Sequence, residues 1–289
     1  LYPLPLEPTL HVKVWGGRRL ADALGKHLPT LEPYGESWEL HDTATVAAGP
    51  LAGRALGSLL AEYGAALVGP GNHPGDGFPL LAKLIDASEW LSVQVHPDDD
   101  HARALEGQPR GKTEAWYILA AEPGARLVIG IQPGTTRAQM AQAIAAGALD
   151  NLLLYADVTA GDVLFIGAGT VHAIGSGILL YEIQQSSDTT YRLYDWGRLD
   201  LDGRPRTLHL DKGVQVTNVD DVPQIIHTAQ ARGPVVDIVK SDYFVTRLYR
   251  LGAGSARLNT GGTRFHALTC IGGAARLACA ANMAKETGV

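Results

Sequence analysis

A mainly β chain with helical insertions is what this sequence predicts, on three observations. The 34 glycines and 16 prolines cut the 289 residues into short apolar stretches, the punctuation of strands joined by tight turns and not of a helical bundle. Several of these stretches are rich in β-branched and aromatic residues, as strands are. Only a few segments carry the wider apolar spacing of an amphipathic helix. The length suffices for one large β unit or two smaller ones and for a sizeable core.

Taken in order, GRRLADALGKHLP (17–29) and FPLLAKLIDASEW (78–90) fit short helices. SVQVH (92–96) reads as a strand, stopped by a His-Pro-Asp-Asp turn in which Asp98, Asp99 and His101 read as structural capping. ARLVIGI (125–131) is a second strand. TTRAQMAQAIAAGALDNLLLYA (135–156) begins with Thr135-Thr136 as a cap and spaces Met140, Ala143, Ile144, Leu152 and Leu153 for one or two helices. DVLFIGA (162–168), GILLYEIQQ (177–185) and SDYFVTRLYRL (241–251) read as strands, and GTRFHALTCIGGAARLA (262–278) as strand, turn, strand. Pro and charge break the rhythm over 205–235, and a second β run starts at Val235. The expected division is therefore residues 1–215 and a smaller unit, 216–289, which reads as incomplete in its closing ANMAKETGV.

Charge and composition exclude several classes of function. Twenty-four Lys+Arg against 30 Asp+Glu give a net charge of −6, without the basic footprint of a nucleic-acid binder. No apolar run has the length of a membrane span, and LYPLPLEPTLHVKVWGG has neither the basic start nor the apolar core of a signal peptide. The expectation is a soluble cytoplasmic protein with no nucleic-acid or membrane partner. Cys270 and Cys279 are too few for a disulfide framework or a cysteine zinc site.

The strand at 92–96 holds an unusual pair. Gln94 and His96 alternate with Val93 and Val95 and so share one side. Facing outward they are ordinary solvated residues; facing inward they are two ligands awaiting others. Glu114, in GKTEAWYILA (111–120), taken alone is a solvated strand start, and His172, after the glycine-rich GDVLFIGAGTVHAIGSG (161–177), taken alone is a hydrogen-bonded structural residue. In SSDTTYR, Asp188 precedes Arg192 by four residues, which by itself reads as a surface ion pair.

The glycine spacing shifts that balance. Gly161, Gly167, Gly169 and His172 resemble the second cupin signature, G-x5-P-x-G-x2-H, with Gly167 where the family has proline; Gln94, His96 and Glu114 echo the first. The blocks WGGRRL (15–20), YGESWEL (34–40), LLAKLIDASEWLSVQVHPDD (80–99), GKTEAWYIL (111–119), GTVHAIGSGILLYEIQQSSDTTYRLYDWGR (169–198) and RTLHL (206–210) are similar, in order, to those of type I mannose-6-phosphate isomerase in its short bacterial form. The resemblance implies a cupin jelly-roll barrel over 1–215 and a second, smaller cupin-like module. It implies one Zn(2+) per chain on Gln94, His96, Glu114 and His172, and interconversion of mannose 6-phosphate and fructose 6-phosphate through an enediol. The partner it implies is a small-molecule sugar phosphate, with no obligate protein partner.

Other roles are carried over position by position. Arg192 matches the family's active-site arginine, suited to grip an enediolate or a phosphate with two parallel hydrogen bonds, and Asp188 lies in the same catalytic segment. Lys112 matches the lysine preceding the ligand glutamate and is a candidate proton shuttle or phosphate contact, against the alternative of a solvated turn lysine. Arg198, Arg204 and Arg206 are unranked candidates for the phosphate. Gly111 departs from longer members, which carry there a histidine implicated in ring opening. Trp15, Trp38 and Trp116 read as packing. Two other readings remain: a non-catalytic sugar-phosphate-binding cupin, and a cupin metal-dependent dioxygenase, for which more histidine ligands and redox-active iron are usual.

Overall fold

A computed structural model describes residues 1–228, 231 and 233–278. The chain is mainly β. Seven strands form one antiparallel sheet: β1 (Thr9–Gly17), β2 (Tyr34–Leu40), β3 (Leu80–Ala87), β5 (Glu114–Ala121), β8 (Asp162–Ile166), β10 (Ile178–Gln185) and β12 (Ile226–His227), in the order β1-β2-β3-β10-β5-β8-β12. Opposite lie β4 (Val93–Val95) paired with β11 (Tyr191–Tyr194), and β6 (Arg126–Ile131) between β7 (Leu153–Asp157) and β9 (Ala173–Ile174). An antiparallel bridge, Gln94 to His172, links these two ribbons.

The two layers share a core of Ile85, Trp116, Ile118, Leu164 and Leu180 from the large sheet with Leu127, Ile129 and Ile174 from the other. Each layer is also covered outside. Helices α5 (Arg137–Ala145) and α6 (Leu210–Val216) lay Met140, Ile144 and Val216 on Val93, Val95, Tyr191 and Leu193. Across the large sheet, α2 (Leu56–Tyr63) and the short α3 (Ala65–Val68) pack Leu56, Leu60 and Val68 with Ala82, Ala115 and Ile183.

Covering both faces explains one misreading. FPLLAKLIDASEW is expected to be a helix and is instead dominated by the central strand β3, because a strand buried on both faces has an apolar run with no alternation to betray it. GRRLADALGKHLP forms only a single turn, α1 (Arg19–Asp22), which ends before Gly25 in a left-handed conformation. The expected cap at 135–136 forms: Thr136 Oγ1 accepts from Gln139 N–H, and Gln139 Oε1 from Thr136 N–H at 2.8 Å. That helix stops at Ala145, however, and Leu153 opens strand β7. Asp98 caps α4 (Asp99–Glu106) by accepting from His101 N–H.

Beyond residue 215 the chain adds to the existing layers. β12 pairs with β8, and the hairpin β13 (Val235–Lys240) and β14 (Val245–Tyr249) places Ile238, Val239 and Phe244 on the outer face of the large sheet. The strand, turn, strand expected over 262–278 is not formed; Phe265 and Ile271 instead pack on that outer face from chain without regular structure, Phe265 edge-on to Phe78 at 5.0 Å. Cys270 is exposed and free, whereas Cys279 and the closing ANMAKETGV lie outside the described residues. Among the described residues no helix is long and apolar enough to cross a membrane.

Candidate metal centre and active site

The side of Gln94 and His96 is decided by their neighbours. Val93 and Val95 belong to the outer cluster under α5 and α6, so the alternating Gln94 and His96 turn inward. The same alternation acts on the residues leading into β9, where Val171 and Ala173 face out and His172 faces in, and at β11, where Tyr191 and Leu193 face out. Arg192 lies directly across from Gln94 in the β4–β11 register and shares its inward side. From the opposite layer Glu114 and Trp116 of β5, Glu182 of β10 and Lys83 of β3 project into the same interior: Glu182 is opposite both Lys83 and Trp116, and Gln184 opposite Glu114.

Donor atoms of His96, Glu114 and His172 all lie within 4.8 Å of one another, with His172 Nε2 at 3.2 Å from Glu114 Oε1 and His96 Nε2 at 3.7 Å from Oε2. Donors about 2.0 Å from one tetrahedral zinc stand roughly 3.3 Å apart, so the spacing suits such an ion. The Gln94 side chain borders the same point, its amide nitrogen 3.3 Å from His172 Nε2; an amide flip would turn its oxygen there. All four expected ligands are brought together.

Their surroundings favour a cation. His96 Nδ1 bonds the Thr189 carbonyl and His172 Nδ1 the Thr170 carbonyl, each at 2.9 Å. A carbonyl only accepts, so each Nδ1 carries the proton and each Nε2 turns a lone pair toward Glu114. Burial holds the His96 imidazole well below its ordinary value, helped by Lys112, and brings His172 down to about 4. Both rings are thus in the ligand form. Burial, aided by the Glu182 charge and opposed by Lys112, pushes the Glu114 carboxyl up to about 7. Neither of its oxygens has a well-aligned hydrogen bond, although Lys112 Nζ stands 2.8 Å from Oε2. A buried carboxylate of this kind, beside neutral imidazoles and an amide, is a fitting seat for a divalent metal ion.

Lys112 reaches into the cluster from the segment before β5. Its Nζ is 3.0 Å from His96 Nε2 and the residue is buried, which removes the solvated-turn alternative. Gly111 is fixed by packing: a Cβ there would stand 2.4 Å from the Pro97 carbonyl oxygen, so this backbone has no room for a histidine.

Arg192 is half-buried, donates from Nη1 to the Thr207 carbonyl at 2.9 Å and keeps a buried Nε–H without a partner. Burial and the nearby Arg206 lower its pKa. Among the described residues it forms no ion pair with Asp188, so the surface-pair alternative is not what the structure shows. Asp188 lines a cleft of about 500 Å³ with Asp42, Arg110, Ser186, Ser187 and Thr189. Arg198 is engaged elsewhere: its guanidinium pairs with Asp195 at 2.8 Å and donates to the Trp90 carbonyl. Arg206 shares Asp195, at 2.5 Å.

Sequence reasoning missed a buried array beside the centre. Lys83 Nζ sits 3.1 Å from Glu182 Oε1, and the Trp116 indole donates to Glu182 Oε2 at 3.0 Å while its ring meets His172 edge-on. Burial opposes the Glu182 charge, yet Lys83 and Lys112 outweigh it and hold the carboxyl at about 2. Trp15 and Trp116 are core as expected, and Trp38 is partly buried, its ring tilted 41° against His11 at 4.4 Å. The missed signal was the lone lysine in LLAKLIDA, whose polarity amid an apolar run is the same clue that Gln94 gave.

Comparisons with known proteins agree with this arrangement. The family described as phosphomannose isomerase type I, catalytic domain, matches residues 4–120. A mannose-6-phosphate isomerase of Streptococcus mutans is 42% identical over 75% of this chain and 68% of its own. The mannose-6-phosphate isomerase ManA of Bacillus subtilis is 38% identical over 89% of this chain and 81% of its own. The crystal structure of mannose 6-phosphate isomerase from Bacillus subtilis superposes with a TM-score of 0.77 at 36% identity, covering 86% of this chain and 79% of that one. With identities of this size over most of both partners, and the same cupin fold, the chain belongs to the type I phosphomannose isomerase family.

Proposed function

We propose that this protein is an aldose–ketose isomerase that interconverts mannose 6-phosphate and fructose 6-phosphate through an enediol. One Zn(2+) per chain would be held by Gln94, His96, Glu114 and His172, within the metal-binding unit of residues 1–215. The observation that carries this reading is the convergence of two imidazole Nε2 atoms on the buried Glu114 carboxylate, with the Lys112 side-chain nitrogen beside them. A bound zinc ion supplies positive charge against which negative charge on the sugar oxygens can develop, without redox chemistry.

The chain's own residues do the rest. Lys112 is the acid/base group that carries the proton between C1 and C2, at an Nζ already among the ligands. Arg192, with a free buried N–H on the inner side, grips an enediolate oxygen or the phosphate. Asp188 sits at the cleft as a polar contact for the sugar. Arg198 is the further candidate for the phosphate: Asp195 and the Trp90 carbonyl engage its Nε, Nη1 and Nη2 once each, which fixes the guanidinium and leaves one N–H on each Nη.

An assay of the zinc-loaded protein with mannose 6-phosphate tests the function, and no conversion to fructose 6-phosphate overturns it. Arg192→Lys is expected to fold and keep its metal while losing most turnover, since one ammonium cannot reproduce the planar fork. Unchanged kcat/KM in that variant would return Arg192 to a purely structural role.

A further inference from the structure

Lys112 lies in a segment that is not itself a strand, yet every backbone donor in it is accounted for. Gly111 N–H donates to Asp99 Oδ1 at 2.8 Å, Lys112 N–H to the Pro97 carbonyl at 3.0 Å, and Thr113 N–H to the side-chain Oε1 of Gln185 at 2.9 Å. Gln185 then closes the loop: its Nε2 donates to the same Asp99 Oδ1 at 2.9 Å, and its backbone N–H to the Thr113 carbonyl at 3.1 Å. The Gln185 side chain is buried, and Asp99 is half-buried at the first turn of α4. Two segments remote from one another in sequence, 97–99 and the end of β10, thus meet on three residues of backbone, where Gly111 leaves no room to shift toward Pro97. Asp98 next door explains the helix cap; nothing in the capping of α4 requires Asp99 to reach Gly111 and Gln185.

We propose that Asp99 and Gln185 are positioning residues for catalysis: their hydrogen-bonded pair sets the backbone of 111–113 so that Lys112 Nζ stands against Glu114 and His96. The inference rests on the role given to Lys112 above. Neither residue touches substrate or ligand atoms; each acts through the segment it holds. A displacement of about 1 Å in a reacting group can cost up to about 10²-fold in rate, so the clamp should be visible in kcat.

The test is a conservative pair in the zinc-loaded full chain. Gln185→Glu keeps the acceptor for Thr113 N–H but sets a second carboxylate against Asp99, and is expected to lower kcat about 10- to 100-fold with KM and zinc content within about twofold of the unaltered protein. Asp99→Ala removes the oxygen that accepts from both Gly111 and Gln185 and should lose kcat alike, whereas Asp99→Asn keeps an Oδ1 acceptor for both and should retain most of it. Unaltered kcat in Gln185→Glu or Asp99→Ala, zinc lost in step with activity, or an Asp99→Asn as slow as Asp99→Ala overturns the inference. Lys112→Met, assayed alongside, separates the two claims: if it turns over normally the role of Lys112 falls, whereas a crippled Lys112→Met beside a fully active Gln185→Glu removes the clamp alone.

Discussion

His172→Ala is expected to abolish tight metal binding and isomerase turnover together. The imidazole is fully buried, its Nδ1 is fixed by the Thr170 carbonyl, and its Nε2 lies closer to Glu114 than that of His96. Alanine removes that donor and leaves Glu114 in a buried site with one imidazole fewer to share the cation. Loss of an outer partner of a metal ligand already costs about 10- to 100-fold in affinity or activity, and loss of the ligand itself should exceed that. His96→Ala should behave alike, because its Nε2 has the same orientation, set by Thr189. Metal content after exhaustive dialysis, measured beside turnover, checks both. Full occupancy in either variant would show that the ligand set has been assigned wrongly.

Lys112→Met should leave the metal in place and remove the proton transfer. Methionine retains an unbranched stem of similar length, so the packing of a buried residue is kept while the ammonium is lost. General acid–base groups contribute about 10²–10⁴-fold, and kcat should fall on that order. Reaction in deuterated water gives an independent view: a C1-to-C2 proton transfer through an exchangeable base leaves deuterium in the product, and a direct hydride shift leaves none. Unlabelled product together with an unaffected Lys112→Met would sink the enediol route.

The four residues that meet at the centre were singled out by the resemblance, and two local patterns agree with it for three of them. Alternation against Val93 and Val95 restricts Gln94 and His96 to one side, and the glycine spacing before His172 marks a turn that a strand pair needs. Which side that is could not be read locally: it depends on α5 and α6, which cover the valines from 40 or more residues away in sequence. Lys83 was hidden for the related reason that β3 is buried on both faces and loses its alternation. Arg198 is bound on one side by Asp195 of its own block, but its bond to the Trp90 carbonyl, 108 residues away, is set by the packing of the two segments and not by either sequence. The seating of Phe265 and Ile271 is equally non-local, being set by the sheet face they meet and not by the β-forming residues around them.

The bridge between Gln94 and His172 also bears on how the molecule comes apart. The two residues are 78 apart in sequence and exchange backbone hydrogen bonds in both directions at 2.9 Å, while His96 and Thr189 are 93 apart. Contacts of such separation form late, after the loops between them have closed. A metal held there has no complete seat in the early collapsed chain, so it cannot hasten folding; it can only deepen the final basin. Zinc should therefore act on lifetime, slowing the unfolding limb of a denaturant-jump experiment and leaving the refolding limb where a chelator puts it.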